Sequence, residues 1–410
     1  MGDIGGRERH WRGHSAGSRE YRRIVAAMTA AGIATFAQLY AVQAVLPGMA
    51  ETFSASSSRV ALSVSFATGG LAACVLLWSG LADRVGRVRV MTVSLGAATL
   101  LGLAAPLAPG MGTLLALRAA QGAALGGVPA VAMAYLAEEV NPRHLSRAAG
   151  AYIAGNTVGG MAGRLVAGVV SDVAGWRWGI GADSLLGLAA LALFLTAVPR
   201  PRGFRPTRRR GSGPGLARRL RDSVTDPGLV ALYCQALFLM GGFVTVYNYL
   251  GFRMTGGEFG LSQTLVAFLF VTYLAGTVSS AAVGRVTERT GRHTVLLVCV
   301  VMMALGTLAL LGDSLAIVVP GLLVLTFFFF AAHATASGWV GHRAPANARA
   351  QAGALYTLSY YLGSSGFGWL GGVFYDHVGW GGVVAYVVAL CAAAALAGLA
   401  LVVPRSARRR

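Results

Sequence analysis

The chain has 410 residues, of which 55% are hydrophobic and only 12% charged, and its mean hydropathy is +0.63. That balance excludes an ordinary soluble domain and makes lipid the solvent for most of the molecule. A formal net charge of +19 would suit nucleic acid, but the charge is confined to short stretches between apolar runs, which argues for a membrane protein instead.

Residues 1–23 form a polar, basic tail. The first apolar run, Ile24 to Leu46, is too long for a signal-peptide core of about 7 to 15 residues, and no A-x-A site follows it, so it reads as a retained helix. A span needs roughly 20 apolar residues to cross a ~30 Å hydrocarbon layer. Further runs of that kind begin near Val60, Val90, Gly112, Ala148 and Trp178, closing a first unit at 24–198. After a linker at 199–227, six more begin near Gly228, Ser262, Thr294, Leu315, Ala350 and Gly381, making a second unit at 228–403 before a basic tail at 404–410. Backbone groups in lipid must bond within their own segment, and runs this long with so little alternation favour helices over barrel strands. The reading is an all-α membrane protein with twelve transmembrane helices.

All 34 basic residues are arginines. They fall in the tails and in every second connection, except for Arg59, Arg177 and Arg253 at the other face and Arg118 and Arg164 inside spans. Arginines near span ends resist translocation, so both termini are expected in the cytoplasm of a bacterial cell, with the chain in its inner membrane. The linker sequence RPRGFRPTRRRGSGPG from Arg200 onward reads as a solvated segment that touches anionic lipid, with no nucleic-acid partner. Cys74, Cys234, Cys299 and Cys391 lie far apart inside spans, without C-x-x-C or clustered His. They read as small apolar side chains, and neither a disulfide scaffold nor a metal site is expected. There is no G-x-S-x-G, H-E-x-x-H or Walker-type loop, so no enzyme and no cofactor is expected.

The two units repeat one another. A shift of 204 positions lays Gly168, Asp172, Gly175 and Trp176 on Gly372, Asp376, Gly379 and Trp380, and Gly159 on Gly363; a shift of 205 lays Asp83, Arg84, Gly86 and Arg87 on Glu288, Arg289, Gly291 and Arg292. Six helices thus occur twice, as two pseudo-symmetric bundles that can rock about a shared interface and open a midplane cavity to either side.

The connection Leu81-Ala82-Asp83-Arg84-Val85-Gly86-Arg87 and its second copy, Gly284 through Arg292, resemble the best-known signature of the major facilitator superfamily. The likeness covers nearly the whole chain and is to the bacterial twelve-helix efflux and antiporter branch. Ser79 stands where the first copy would carry its leading Gly. The resemblance implies that these charges latch the cytoplasmic gate in the outward-facing state; the alternative is a solvated surface pair worth under about 1 kcal/mol. Arg118-Ala119-Ala120-Gln121-Gly122 in the fourth span resembles the family's R-x-x-Q-G pattern. Gly155-Asn156-Thr157-Val158-Gly159-Gly160-Met161-Ala162-Gly163-Arg164 in the fifth resembles the glycine-rich motif of antiporters, with Gly160 in place of Pro and Arg164 in place of the last Gly. In that respect the chain is more similar to sugar-efflux and acid-resistance exporters of the YnfM-like kind than to multidrug exporters. Glycines four apart, Gly155, Gly159 and Gly163, with Gly160, suit close helix contact at an interface that slides between the bundles.

An arginine inside a span costs at least about 2.5 kcal/mol, so it faces protein or a watery cavity. At ~1.5 Å per residue, Arg118, Arg164 and Asp183 lie at one level, about 7 to 10 Å below the outer end. A charged cluster is expected there, with Asp183 partly neutralising the two arginines; for Arg118 a buried bond to helix backbone is the alternative. Protons are the expected coupling ion, with Asp183 and His333 as candidate carriers and a fixed ion pair or a satisfied core imidazole as the bland readings. Gln38, Tyr40, Gln43, Gln121, Gln235, Tyr247, Asn248, Tyr356 and Tyr360 are polar groups that either face a substrate path or bridge helices. A cavity with arginines and few acids would favour anionic or neutral amphipathic substrates over cations. The expected function is proton-coupled efflux of a small molecule by a monomer. Uptake by symport or uniport, or a transport-inactive receptor on the same helices, are the rivals.

Overall fold

A computed structural model describes residues 11–204, 216–257, 259–345, 348–399 and 401. The first ten residues, the arginine-dense run at 205–215 and the tail from 402 onward, which carry much of the expected lipid contact, lie outside the described residues.

The apolar runs are helices. They are numbered here α1 (Arg19–Tyr40), α2 (Ser57–Val85), α3 (Arg87–Ala104), α4 (Met111–Glu139), α5 (Leu145–Ala174) and α6 (Trp176–Ala197) in the first half. In the second half they are α7 (Pro227–Thr255), α8 (Gln263–Thr290), α9 (Arg292–Ala309), α10 (Leu315–Arg343), α11 (349–378) and α12 (Trp380–Leu399). Eleven of these are unbroken enough, long enough and apolar enough to cross a membrane. The twelfth, α11, departs from the expectation of a regular span. A five-residue π turn at Gly363–Phe367 divides it, because Gly363 is pressed onto the Leu237 carbonyl of α7 and its bonding ladder shifts register there.

The sequence repeat has a backbone counterpart. Gly86 and Gly291 carry φ of +102° and +86°, and Gly175 and Gly379 carry +85° and +74°, each in the one-residue turn that joins two helices. Glycine is favoured there because a Cβ is strained at positive φ. Ser56 and Ser262, each just before the second helix of its half, accept a bond from a first-turn amide, as good N-caps do.

Three helices break at a common level. α1 gives way to a 3-10 turn at Ala41–Val45 before a short helix, Leu46–Phe53, in place of one continuous run to Leu46. α8 carries a 3-10 turn at Leu269–Thr272, and α11 has its π turn. The core is divided in a matching way. One cluster, built from the basic-face ends of the first half and including Ile24, Met91, Tyr135 and Phe194, stands by itself. A larger one runs continuously from Leu39 and Val64 through Phe243 and Tyr247 into the second half. The two halves therefore share a core towards the opposite face and part company towards the basic face.

Candidate functional site: a central cavity above a buried arginine

A cavity of about 530 Å³ occupies the cleft between the halves. Its wall reaches Gly150 near the start of α5, Thr357 near the start of α11 and Ser337 near the end of α10, so it opens towards the basic face. Aromatic side chains dominate the wall, including Phe36, Phe243, Phe330 and Tyr360. His333 of α10 is also in it, with Nδ1 3.0 Å from the Tyr356 hydroxyl and its ring 4.8 Å from that of Tyr360.

Arg164 forms the floor. Its Nε donates to Gln43 Oε1 at 2.8 Å and Nη2 to the same oxygen at 2.5 Å, while Nη1 donates to the Gly160 carbonyl at 2.6 Å and Nη2 to the Tyr273 hydroxyl at 3.1 Å. The guanidinium carbon lies 4.6 Å from the Tyr273 ring centre, 4.9 Å from Tyr40 and 5.0 Å from Phe270. These rings come from the breaks in α1 and α8, which supply the room for a guanidinium and turn its aromatic cage inward. Gln43 in turn donates to Asn248 Oδ1 at 2.6 Å, linking the first half to α7.

Below this floor the halves are tied together. Ser65 and Ser365 each donate a hydroxyl to the other's carbonyl at 2.8 Å, and the Tyr40 hydroxyl lies 3.3 Å from Ser364 Oγ. At the opposite face two aspartates reach across reciprocally. Asp376 at the end of α11 accepts from Ser57 Oγ at 2.5 Å and from the Ser58 amide at 3.3 Å, at the N-terminus of α2. Asp172 at the end of α5 accepts from the Gln263 amide at 3.2 Å, at the N-terminus of α8. A carboxylate at a helix N-terminus answers both the unpaired amides and the dipole. The sequence analysis missed this pair as functional residues, although their recurrence at one offset was the available signal.

Eight sequence candidates, Gln38, Gln43, Arg118, Gln121, Asp183, Gln235, Tyr247 and Asn248, lie outside the cavity wall. Arg118, 2% exposed, donates Nε to the Ser63 carbonyl, Nη1 to the Gln38 carbonyl at 2.9 Å and Nη2 to the Leu39 carbonyl at 2.6 Å. Gln121 accepts from its Nη1 at 2.5 Å and reaches Gln38 and the Ala98 carbonyl at 3.3 Å. Backbone tethering is thus the arrangement for Arg118, at the end of α1 where the helix ladder gives out. Asp183 is close enough to interact with both arginines, yet among the described residues it forms an ion pair with neither, and its Oδ1 has no hydrogen-bond partner. Direct neutralisation is absent, and Asp183 Oδ1 lies instead against Gly163 beside the α1 backbone at Ala37. Asn248 also stays outside the wall, as part of the cross-half link. Gln235 bridges to the Ala394 carbonyl at 2.5 Å and Tyr247 to Thr272 and Thr326, so both join helices.

The glycine stripe corrects another expectation. A Cβ on Gly155, Gly159 or Gly163 would lie 2.5–2.7 Å from Thr29, Ile33 or Ala37, so the stripe seats α5 on α1 inside the first half and not between the halves. Gly160 belongs to the next row of α5, which faces the cavity with Arg164, and Gly168 on that row meets Ala267 of α8.

The Major Facilitator Superfamily model matches residues 28–365 and again 238–410. The chain belongs to the Major Facilitator Superfamily. It is 40% identical to the inner membrane transport protein YnfM of Escherichia coli (strain K12) over 385 residues, covering 94% of this chain and 92% of YnfM. It is 36% identical over 371 residues to YybF, an uncharacterized MFS-type transporter of Bacillus subtilis (strain 168), covering 90% and 91%. In fold it is similar to a bacterial homologue of the human lysosomal transporter Spinster in an inward-facing, unoccupied conformation, with a TM-score of 0.73 at 17% identity over 94% of this chain and 96% of that one. The nucleoside transporter NupG gives a TM-score of 0.73 at 12% identity, over 93% and 100%. This superfamily member is therefore a multi-pass membrane transporter and not an enzyme.

At its basic face the superfamily signature is bonded inside the first half. Arg87 pairs with Asp83 at 2.6 Å and with Glu138 at 3.1 Å, and Phe204 of the linker lies 5.8 Å from its guanidinium. Glu139 accepts the amides of Arg202 and Gly203 at 2.7 Å, which fastens the start of the linker to the end of α4. The side chains of Arg84 and of the second copy, Glu288, Arg289 and Arg292, make no hydrogen bond or ion pair among the described residues. Asp226, just before α7, accepts from the Gly228 and Leu229 amides and from Arg343 Nε at 2.8 Å. Burial works against its charge, but the Arg343 bond and the two amides hold the carboxyl below its ordinary range.

Proposed function

We propose that this transporter exports a small molecule across the bacterial inner membrane in exchange for protons, by rocking of the units 24–198 and 228–403 as a monomer. Its basic face is cytoplasmic under this reading, which follows the arginine asymmetry, with anionic lipid bound near the linker. The observation that carries it is the central cavity, open towards the basic face and floored by bonds between the halves. That is one end state of alternating access, in which each half must later swing so that the floor opens and the basic face closes. The signature residues Asp83, Arg84, Gly86 and Arg87 and their second copy, Glu288, Arg289, Gly291 and Arg292, act as the latch for the other state. Being bonded within the first half or unbonded here is what an open cytoplasmic side requires.

His333 in the wall and Asp183 beside the floor are the proton sites of this scheme. Proteoliposomes with an imposed pH gradient test it: substrate should leave the compartment that corresponds to the cytoplasm as protons enter it. Flux that ignores the gradient would remove the coupling, and binding without flux would make the chain a receptor. One observation favours a second reading, movement of substrate together with a proton. Asp183 interacts with Arg164, so a proton on Asp183 strengthens the hold of the floor on an anion, which is positive linkage. Under that reading substrate and protons cross in the same direction, and the assay separates the two by sign.

A further inference from the structure

We propose that the cavity takes an organic monoanion, a carboxylate on a flat aromatic or apolar body, whose charged end docks on Arg164. The proposal rests on the transport reading of the same cavity and adds the chemistry of the cargo.

Among the described residues that line the cavity, Arg164 is the sole permanent charge and there is no Asp or Glu. A guanidinium has five N–H donors. In this structure they are directed at neutral acceptors, two at Gln43 Oε1, one at the Gly160 carbonyl and one at Tyr273, which leaves an Nη1 N–H over. The Gln43 oxygen takes a forked pair of bonds from Nε and Nη2, the edge that a carboxylate ordinarily takes from arginine. Around this point the buried charges are two guanidiniums, Arg164 and Arg118, against one carboxylate, Asp183. Arg118 lies outside the wall, with four of its donors on backbone carbonyls and Gln121, so Arg164 is the guanidinium that presents this excess positive charge to the cavity. Arg164 is itself 1% exposed and caged by aromatic rings, which makes it a strong attractor for one negative charge and a barrier to a cation.

The walls set the rest of the ligand. Phe243 stacks on Phe329 with centroids 3.9 Å apart and stands edge-on to Phe330 at 5.7 Å, so a flat apolar body meets ring faces and edges above the floor. The volume of about 530 Å³ falls within the range of roughly 300–1,000 Å³ for small-molecule pockets. The same contacts tie binding to the gate. Arg164 bonds Tyr273 of the second half, and its partner Gln43 bonds Asn248 of that half. A carboxylate that draws Arg164 upward competes with both links, so occupancy loosens the floor that holds the halves together.

Purified full-length protein in detergent would be titrated with naphthoate, naphthalenemethanol and naphthylmethylamine, which share a body and differ in charge, reading thermal unfolding and calorimetric binding. Naphthoate should raise Tm and bind, while the alcohol and the amine bind at least tenfold more weakly. Arg164→Gln should abolish the difference. Gln43→Glu, which places an internal carboxylate on the same guanidinium edge, should weaken naphthoate at least tenfold without lowering Tm, and it carries the test if Arg164→Gln fails to fold. No stabilisation by naphthoate, equal or tighter binding of the amine, or undiminished naphthoate affinity in Gln43→Glu would overturn the proposal. Naphthoate binding without flux in proteoliposomes would instead leave the anion site standing and overturn the transport reading.

Discussion

Arg118 and Arg164 are both guanidiniums buried inside the first half, and their surroundings give them different work. Arg118 spends its donors on the carbonyls of Ser63, Gln38 and Leu39 and on Gln121. Replacing it with Leu removes several charge-assisted bonds to buried acceptors, each worth about 1.5–3 kcal/mol. Arg118→Leu should therefore lower the unfolding temperature markedly while weakening anion binding by the surviving folded fraction far less than Arg164→Gln does, measured by thermal unfolding and by binding in parallel. Asp226 gives a second prediction with a definite sign. Its carboxyl is lowered in the folded state, so its contribution is present above the unfolded-state pKa and disappears as pH falls through the folded-state value. Asp226→Asn keeps a helix cap but loses the charge that pairs with Arg343, and should be less stable than the parent at neutral pH by up to about 1 kcal/mol. The gap should close on acidification, as followed by thermal melts across the acid range. At this scale the sequence disclosed which residues were costly to bury but not which way they pointed. Whether a side chain such as Arg118 or Arg164 meets backbone or a cavity depends on its azimuth about the helix, and a pattern of apolar residues that is nearly uniform round each helix carries no azimuth.

Helices in lipid gain nothing from hiding apolar surface from one another, so close packing has to come from shape. The α1–α5 pair shows how: Gly155, Gly159 and Gly163 present bare backbone to Thr29, Ile33 and Ala37, themselves four apart. Gly163→Ala forces a methyl against the Ala37 backbone and Asp183 Oδ1, both 2.7 Å away, and should cost about 1–3 kcal/mol, the usual range for overpacking. Gly160→Ala, one row round the helix and facing the cavity, should be near neutral in the same melts. The spacing of these glycines was legible in the sequence, and so were the turns at Gly86, Gly175, Gly291 and Gly379, because positive φ selects glycine wherever it occurs. Their partner helix was not legible, and neither were the breaks in α1, α8 and α11. The break in α11 coincides with a tertiary contact, where Gly363 meets the Leu237 carbonyl, and local propensity carries no trace of that.

Two halves joined at one face and separated at the other form one of the two packings that a cycling transporter has to hold at similar energy. The repeat itself was visible as two motifs at nearly one offset, but the reciprocity of Asp172 and Asp376 emerges only when α5 meets α8 and α11 meets α2. Each carboxylate is exposed, so each link is worth about 0.5 kcal/mol, and together they bias the equilibrium by about fivefold. The most direct test is a pair of spin-label distances, read by pulsed electron resonance on a background in which the four cysteines are replaced by Ala. One pair sits at the basic face, at Arg147 of α5 and Arg285 of α8, and the other at the opposite face, at Arg59 of α2 and His377 of α11. In the combined Asp172→Asn and Asp376→Asn variant the population should shift so that the basic-face distance shortens as the opposite-face distance lengthens. Distances that stay fixed in both pairs, or that change in the same sense, would contradict alternating access about this cavity.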